Sequence, residues 1–283
     1  MTATLEISGN LPLFEAPLLV ASDIDGTLID DAERIPKFVR EAIMRMTHAG
    51  TVMALATGRP ARWMKPVLDQ LTVRPVCVCT NGAVIYDSAR DQILQRHELQ
   101  PEVMRRIIDA ARLVTDVGVA VERCGESAFA PEDELFIVAP SYVHAWDADE
   151  YGHAPESLVI GQPAVKLLLR NDSLSAPELY ALIKPMVPAS MAHVTYSMNE
   201  GLLEVSAPGV NKATGVAELA KYIGVSARNV LCFGDMPNDM EMLKWAGYGV
   251  AVANAHPDLK AIADEICGSN NDGGIGDILT RWF

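Results

Sequence analysis

Two aspartates that follow an apolar run constrain the fold of this chain more than any other feature. Residues 18–21 are apolar, and Asp23-Ile24-Asp25-Gly26 follows them after one serine. This pattern predicts a buried strand that ends in a loop. Side chains two residues apart on an extended chain share a face, so both carboxylates can point into one crevice. Their repulsion favours a cation between them, and Mg²⁺ prefers carboxylate oxygens. The alternative explanation of Asp25-Gly26, taken alone, is a simple turn after a strand.

Composition excludes several classes of function. The chain has 283 residues, 49% of them hydrophobic, and suits one large domain or two smaller ones. Its net charge of −14 argues against nucleic acid and against an anionic membrane surface as partners. We see no secretory signal, no apolar stretch of spanning length and, among five cysteines, no CxxC pair. We therefore expect a cytoplasmic protein, and the oligomeric state is left open.

Short apolar runs alternate with amphipathic segments in the first and last parts of the chain. This alternation predicts a parallel sheet whose strands are joined by right-handed helical crossovers. The predicted strands of this sheet are residues 18–21, 51–56, 76–79, 229–233 and 248–252.

Segments between residues 87 and 205 are shorter and more mixed, which is typical of an α+β unit with a largely antiparallel sheet. The prediction is an α/β core formed by residues 1–86 and 206–283, with residues 87–205 inserted as a second domain. Residues 1–16 are expected to form an irregular extension, and residues 130–157 receive no assignment. The elements predicted for the insertion are strands at 92–95, 117–122, 164–169, 193–197 and 202–206, and helices at 101–114 and 177–186.

Four strands of the predicted core end in short polar loops. Ligands of open α/β sheets bind beyond the carboxyl ends of the strands, so the four loops are expected to meet there. The polar residues of these loops are Asp23 and Asp25, Thr57 and Arg59, Asn81 with Gly82, and Asp235, Asn238 and Asp239.

These loops, taken in order, resemble the motifs of the haloacid dehalogenase superfamily, and more narrowly its Cof-type sugar-phosphatase-like branch. The motifs are Asp-Ile-Asp-Gly-Thr-Leu, Ala-Thr-Gly-Arg, Asn-Gly-Ala, a single Lys212 and Gly-Asp-Met-Pro-Asn-Asp. The resemblance implies a Rossmann-like core, with a parallel sheet between helices, and an inserted α+β cap of type IIB. It also implies a Mg²⁺-dependent phosphatase for small phosphate esters, with sugar phosphates as the first expectation.

The resemblance also implies roles for the residues that carry chemistry. Asp23 would be the nucleophile that forms an aspartyl-phosphate, and Asp25 the general acid and then the general base. Lys212 would neutralise charge on Asp23 and on the phosphoryl group. Mg²⁺ would be held by the Asp23 carboxylate, the Asp25 backbone carbonyl and Asp235. The alternatives are a helix N-cap for Asp235 and a solvated surface lysine for Lys212.

Further residues of the motifs have expected roles around the phosphate. The Thr57 hydroxyl and the Gly58 backbone N–H would bind phosphoryl oxygens, unless Thr57-Gly58 only ends the strand. Asn238 is expected to contact the substrate phosphate or a metal-bound water, and Asp239 to support the metal or Lys212 or to cap a helix. Arg59 is expected to contact the substrate or to brace its loop by an ion pair. Asn81 and Gly82 are expected to form the turn beside the substrate, and Asn254 to form a hydrogen bond near the phosphate or a turn.

Other residues receive weaker expectations. Met236 stands where this branch commonly has a small residue, although activity is expected to survive. The polar residues Glu122, Arg123 and Lys166 of the insertion are candidates for substrate selection, yet a surface position is expected for each. Trp63 and Trp245 are expected in the core.

Two other functions are compatible with the same motifs. A phosphomutase would form the same aspartyl-phosphate and pass the group to a second sugar hydroxyl. A phosphometabolite-binding sensor with weak catalysis would keep the site without turnover. The presence of both Asp23 and Asp25 argues against the sensor, because binding alone does not need the acid/base carboxylate.

Overall fold

Two sheets of eight and six strands organise the computed structural model, which describes residues 15–143 and 151–283. Most of the predicted extension at 1–16 therefore lies outside the described residues. The strands are β1 (Leu19–Ser22), β2 (Val52–Ala56), β3 (Val76–Cys79), β4 (Val84–Asp87), β5 (Gln92–Arg96), β6 (Gly118–Glu122), β7 (Phe136–Val138), β8 (Gly152–His153), β9 (Lys166–Ser175), β10 (His193–Thr195), β11 (Glu200–Ser206), β12 (Val230–Gly234), β13 (Tyr248–Ala251) and β14 (Glu265–Ile266).

Ten α-helices accompany the two sheets in the described part of the chain. They are α1 (Lys37–His48), α2 (Lys65–Leu68), α3 (Pro101–Arg112), α4 (Glu132–Leu135), α5 (Glu156–Val159), α6 (Ala176–Ile183), α7 (Lys212–Tyr222), α8 (Met240–Trp245), α9 (Pro257–Lys260) and α10 (Gly274–Leu279). None of these helices combines the length and the apolar character that crossing a membrane requires.

The larger sheet has the strand order β14-β13-β12-β1-β2-β3-β4-β5. Six strands run parallel, and β4 and β5 extend one edge as antiparallel strands. All four residues of β1 are buried, as expected for a central strand with helices on both faces. Because β1, β2 and β12 are parallel neighbours, the loops at their carboxyl ends lie side by side. The predicted strands of this sheet agree with the structure to within one residue at each end.

The smaller sheet has the order β10-β11-β9-β6-β7-β8 and is antiparallel except between β7 and β8. Alternate residues of its strands face opposite sides of the sheet. Leu167, Leu169 and Leu203 belong to the main hydrophobic core with α3 and α6. Leu168 and Leu202 join a separate apolar cluster on the opposite face. This second face looks toward the loops of the larger sheet.

Several predicted elements differ from the structure. The strand predicted at 92–95 pairs with β4 in the larger sheet, although the division at residue 87 placed it in the insertion. The pairing supports a boundary after Arg96, and the division into two units stays a proposal. The helix expected around Trp63 and Leu71 is a 3-10 turn, Ala61–Trp63, followed by the short α2. The helix α2 begins with Lys65-Pro66. Because proline has no N–H to donate and disfavours helical geometry in the residue before it, the 3-10 turn and α2 do not form one continuous helix.

Further differences concern the stretch left without assignment. Residues 130–157 contain α4, β7, β8 and the start of α5, while residues 144–150 lie outside the described part of the chain. The strand β9 continues to Ser175, beyond the predicted end at residue 169, because its polar second half pairs with Glu200 of β11.

The turn after β3 brings the chain against the start of α7. Thr80, Asn81 and Gly82 all have positive φ, and Gly82 lies at +94°. A Cβ atom on Gly82 would lie 2.1 Å from the backbone oxygen of Asn211, the N-cap of α7. Only glycine permits both this conformation and this approach. The turn therefore fixes where α7 begins, and with it the position of Lys212.

We expect Gly82→Ala to lower the free energy of unfolding by at least about 2 kcal/mol, because strain and a backbone clash add together. Gly209→Ala is the matched control, since Gly209 has a φ of +74° and no described atom within 4 Å of an added Cβ. It should cost only about 1 kcal/mol. Urea denaturation of both variants measures the two losses, and equal losses would contradict the close-approach argument.

Candidate active site

A buried lysine lies between two buried aspartates where the strands of the larger sheet end. The Nζ atom of Lys212 donates to Asp23 Oδ1 at 2.6 Å and to Asp239 Oδ1 at 2.7 Å. Lys212, Asp23 and Asp239 are 1%, 4% and 0% exposed. Burial disfavours the ammonium, but attraction by the two carboxylates exceeds this cost and raises the pKa of Lys212 above its ordinary value. The lysine is therefore charged at neutral pH.

Asp235 adds a third carboxylate to this cluster. Asp23, Asp235 and Asp239 each offer an oxygen, and the three oxygens lie within 4.8 Å of one another. Burial, opposed by Lys212, raises the pKa of Asp23 to about 7. Burial and repulsion by Asp23 and Asp239 raise the pKa of Asp235 to about 9. Three acidic side chains thus surround one ammonium group, and this single positive charge is too little to balance all three as carboxylates.

The donor set fits a divalent cation. Asp23 uses Oδ1 for Lys212, and Asp235 accepts the Thr27 hydroxyl at 3.1 Å through its own Oδ1. The Oδ2 atoms of Asp23 and Asp235 accept no hydrogen bond from the described residues. Hard oxygen donors with surplus negative charge are what Mg²⁺ prefers. Asp23 and Asp235 would hold such an ion.

Asp239 has both of its oxygens in use. Oδ1 accepts from Lys212, and Oδ2 accepts the backbone N–H groups of Asp235 and Met236 at 3.0 and 3.1 Å. The sequence left open whether Asp239 supports Lys212 or caps a helix. Its side chain binds Lys212 and the N–H at the start of the 3-10 turn Pro237–Asp239, and it makes no cap hydrogen bond to α8. Asp239 is therefore a support for Lys212 and for the Asp235 loop. The Met236 side chain lines the cavity beside this loop.

The loop after β1 turns sharply against Asp235. Gly26 has a φ of +73°, and a Cβ atom there would lie 2.4 Å from Asp235 Oδ2. The Asn254 side chain donates to the Gly26 carbonyl oxygen at 2.7 Å and accepts from the Asn270 N–H at 3.1 Å. Asn254 thus joins the loop after β13 to the loops after β1 and β14.

Arg59 makes a bidentate ion pair with Asp25. Its Nε lies 2.9 Å from Asp25 Oδ2, and its second donor reaches Oδ1 at 2.5 Å. Both side chains line the cavity, and the Asp25 side chain is 54% exposed. The ion pair that was one of the two expectations for Arg59 is therefore present, and the side chain also lines the cavity. Thr57 is fully buried, and its hydroxyl accepts the Arg59 backbone N–H at 3.0 Å.

A network of side chains connects the larger sheet's loops with the smaller sheet. Asn81 donates to Glu204 of β11 and accepts from Asn238 Nδ2 at 3.1 Å. Lys166 of β9 donates to Glu204 at 2.9 Å and to the Gly58 carbonyl oxygen at 2.8 Å. The Asn238 Oδ1 atom is buried without a hydrogen-bond partner among the described residues. It is available to a ligand or a water molecule.

A cavity of about 560 Å³ lies between the loops of the larger sheet and the second face of the smaller sheet. Of the twelve site residues predicted from the sequence motifs, six line it: Asp23, Asp25, Gly58, Arg59, Asp235 and Asn238. The other six are not among its lining residues: Asn254 is exposed, and five are buried, namely Thr57, Asn81, Gly82, Lys212 and Asp239. Gly82 contacts the backbone of Asn211 rather than the cavity.

Three expectations about the insertion and the core were wrong. Glu122 and Lys166, expected at the surface, are only 5% and 6% exposed and line the cavity. Trp63, expected in the core, also lines the cavity, and its indole N–H donates to Glu132 at 3.1 Å. Arg123 lines a different, much smaller hollow, and its side chain bonds two backbone oxygens of α5.

Sequence reasoning missed several cavity residues. Glu204, Arg62 and Leu168 were not singled out, yet all three line the cavity. The signal for some of them was the two-residue spacing of Lys166 with Leu168 and of Leu202 with Glu204, which places each pair on one face of its strand.

A family model described as haloacid dehalogenase-like hydrolase matches residues 20–279. The chain belongs to this family. Among relatives of this haloacid dehalogenase-like hydrolase, the 5-amino-6-(5-phospho-D-ribitylamino)uracil phosphatase YitU of Bacillus subtilis is 27% identical over 268 residues, which cover 94% of this chain and 98% of YitU.

Solved structures share the fold. BT1666, a phosphatase of the HAD enzyme superfamily from Bacteroides thetaiotaomicron, is similar with a TM-score of 0.78 at 22% identity, covering 97% of this chain and 98% of BT1666. The HAD subclass IIB sugar phosphatase BT4131 is similar with a TM-score of 0.75 at 20% identity, covering 93% and 98%. The comparisons confirm the predicted family and the α/β fold with its Rossmann-like core. They also confirm the predicted enzyme class, a phosphatase.

The raised pKa of Asp235 gives a test of the carboxylate cluster. With a folded value near 9 against 3.8 for the free side chain, Asp235 holds a proton in the folded state that it releases on unfolding. Its contribution to stability is therefore full below about pH 4 and is lost as the pH rises toward about 9. In the presence of chelator, the free energy of unfolding of Asp235→Asn should therefore rise relative to that of wild type as the pH increases, by up to about 1.4 kcal/mol per pH unit.

Urea denaturation from about pH 5 to about pH 8 measures this difference. An exposed aspartate of α3, Asp109, provides the control variant Asp109→Asn, which should show no such trend. A stability difference between Asp235→Asn and wild type that does not vary with pH would contradict the electrostatic description.

Proposed function

We propose that the chain is a Mg²⁺-dependent phosphatase that hydrolyses small phosphorylated metabolites through an aspartyl-phosphate on Asp23. The observation that carries this proposal is the Lys212 ammonium between Asp23 and Asp239, with Asp235 beside them at one end of the cavity. Binding alone requires no buried nucleophile of this kind. Sugar phosphates are the first substrates proposed, and a cytoplasmic location is proposed with them.

Asp23 is the proposed nucleophile. One of its carboxylate oxygens attacks phosphorus, and the bond between phosphorus and the alcohol oxygen breaks. Lys212 holds the Asp23 carboxylate at 2.6 Å, keeps its attacking group oriented and offsets the charge of the incoming phosphoryl group. Asp239 in turn fixes the Lys212 ammonium, so the nucleophile sits in a rigid, buried arrangement.

Asp25 is the proposed general acid and base. It donates a proton to the departing alcohol oxygen, and afterwards takes a proton from the water that attacks phosphorus and releases Asp23. Its exposed carboxylate at the cavity supports this role, since a leaving group must reach it. Arg59 holds the Asp25 carboxylate by two hydrogen bonds and thereby sets its direction.

Three groups from the loops after β2 and β12 are proposed to bind the phosphoryl oxygens. These are the Thr57 hydroxyl, the Gly58 backbone N–H and the Asn238 side chain, with Asn81 and Gly82 shaping the turn beside them. Only the Nδ2 of Asn238 can donate to a phosphoryl oxygen. Its buried Oδ1, which has no partner among the described residues, is an acceptor and suits a metal-bound water, the other contact proposed for Asn238. Mg²⁺, held by Asp23, Asp235 and the Asp25 backbone carbonyl, would reduce the repulsion between the anionic nucleophile and the anionic ester.

The first experiment is phosphate release from a panel of phosphorylated metabolites, with Mg²⁺ and with chelator. We expect Mg²⁺-dependent release from wild type and a loss of at least about a thousandfold in Asp23→Asn, because the nucleophile is gone. The control Asp109→Asn should retain wild-type rates. Metal-independent release, or full activity in Asp23→Asn, would contradict the proposal. Transfer to a sugar hydroxyl without free phosphate would indicate the phosphomutase, and binding without turnover the sensor.

A second experiment separates the two roles of Asp25. With p-nitrophenyl phosphate, the leaving group needs no acid, so Asp25→Asn should still form the aspartyl-phosphate quickly but hydrolyse it slowly. We expect a burst of nitrophenol equal to the enzyme concentration, followed by turnover reduced by about a hundredfold to ten-thousandfold. Rapid-mixing absorbance measurements detect the burst. A linear time course at the reduced rate would assign Asp25 a different role.

A further inference from the structure

Beyond the carboxylate cluster, the other lining residues give the cavity a charge pattern and an apolar wall. From these features we propose that the site selects phosphate monoesters whose alcohol part carries no second anionic group. This inference rests on the proposed phosphatase activity, and it names the class of ester that the activity accepts. Esters with a second phosphate or a carboxylate are excluded by the protein's own charges.

Each cation that lines the cavity already has a carboxylate partner. Arg62 is held by Glu122 and, at 3.2 Å, by Glu132, and Lys166 lies 2.9 Å from Glu204. Arg59 is paired with Asp25, as described above. The side chains of Arg62 and Lys166 are only 6% and 8% exposed. To form an ion pair with Arg62 or Lys166, a second anion on the ligand would have to displace Glu122 or Glu204, and breaking such a buried ion pair is strongly unfavourable.

Carboxylates outnumber cations among the residues that line the cavity beyond the carboxylate cluster. Glu122, Glu204 and Glu33 line it, against Arg62 and Lys166. The nearby Glu132 further offsets Arg62. A ligand carboxylate or second phosphate would therefore meet a net negative surrounding, and like charges brought together at a desolvated site cost binding energy. Repulsion of this kind selects against a competing ligand without any contact to the preferred one.

Apolar side chains, rather than hydrogen-bond donors, form most of the remaining cavity wall. Phe136, Leu168 and Leu202 line the cavity from the second face of the smaller sheet, and Trp63 and Pro60 line it from the larger sheet's side. The Trp63 indole N–H is used by Glu132. Apolar side chains favour contact with the uncharged surface of a ligand and give no compensation to an ion that loses its water. Charge and wall thus point to the same class of ester.

Two open-chain esters of equal length provide a matched test. D-glucitol 6-phosphate and 6-phospho-D-gluconate differ at the far carbon, which carries a hydroxymethyl group in one and a carboxylate in the other. We expect kcat/KM to be at least about tenfold higher for the glucitol ester. Competitive inhibition of p-nitrophenyl phosphate hydrolysis measures the same preference as a ratio of inhibition constants.

Variants of the carboxylates around Arg62 should change this preference. Glu122→Gln removes one negative charge and loosens the hold on Arg62, so the advantage of the glucitol ester should shrink by about fivefold or more. Glu126→Gln is the control, because Glu126 belongs to the same part of the chain but its side chain is 91% exposed. Should Glu122→Gln fail to fold, Glu132→Gln removes a charge from the same arginine and should act in the same direction.

The outcomes separate this inference from the proposed function. Phosphate release from both esters at equal efficiency, or preference for the gluconate ester, would overturn the inference and leave the phosphatase intact. Hydrolysis of p-nitrophenyl phosphate without binding of either ester would also overturn it, because the cavity should admit an uncharged hexitol chain. Absence of all phosphate release would instead refute the proposed function, and the inference with it.

Discussion

A single ammonium group, Nζ of Lys212, lies between two buried carboxylates, and the candidate active site depends on this contact. Without the lysine, Asp23 and Asp239 would face each other and Asp235 and would lose the ammonium group that both now bind. Breaking a buried pair by removing one partner is strongly destabilising. The turn at Gly82 and the N-cap of α7 at Asn211 place this lysine, so backbone geometry and electrostatics are coupled in the same few residues.

The carboxylate of Asp239 extends the same arrangement to the next loop. It accepts from Lys212 with one oxygen and from two backbone N–H groups with the other, which holds Asp235 in place. The result is a site whose groups are fixed before any ligand arrives. Preorganised charge of this kind stabilises developing charge without rearrangement during the reaction.

The sequence predicted the parallel strands and the loops at their ends with little error, because apolar runs and polar strand ends are local signals. Asp23 and Asp235 could be named in advance, since loops after neighbouring parallel strands must converge, whereas Lys212 was named from the family resemblance. The edge strands β4 and β5 were less accessible, because a short hairpin at residues 84–96 can join either unit. Arg62, Trp63 and Glu204 could not be assigned to the cavity, because their contacts depend on how the two sheets face each other.

In the smaller sheet, alternate residues of the same strands have two different roles: one set packs in the main core and the other lines the cavity. In β9 and β11, residues 167, 169, 203 and 205 are buried in the main core, while residues 166, 168, 202 and 204 face the cavity. Substitutions that keep the volume and pairing of the second set can alter the surface that a ligand meets, while the main core on the other face keeps its packing. Ligand preference in such a protein can therefore drift over evolutionary time, one side chain after another, while the folded framework and the phosphoryl chemistry are inherited unchanged.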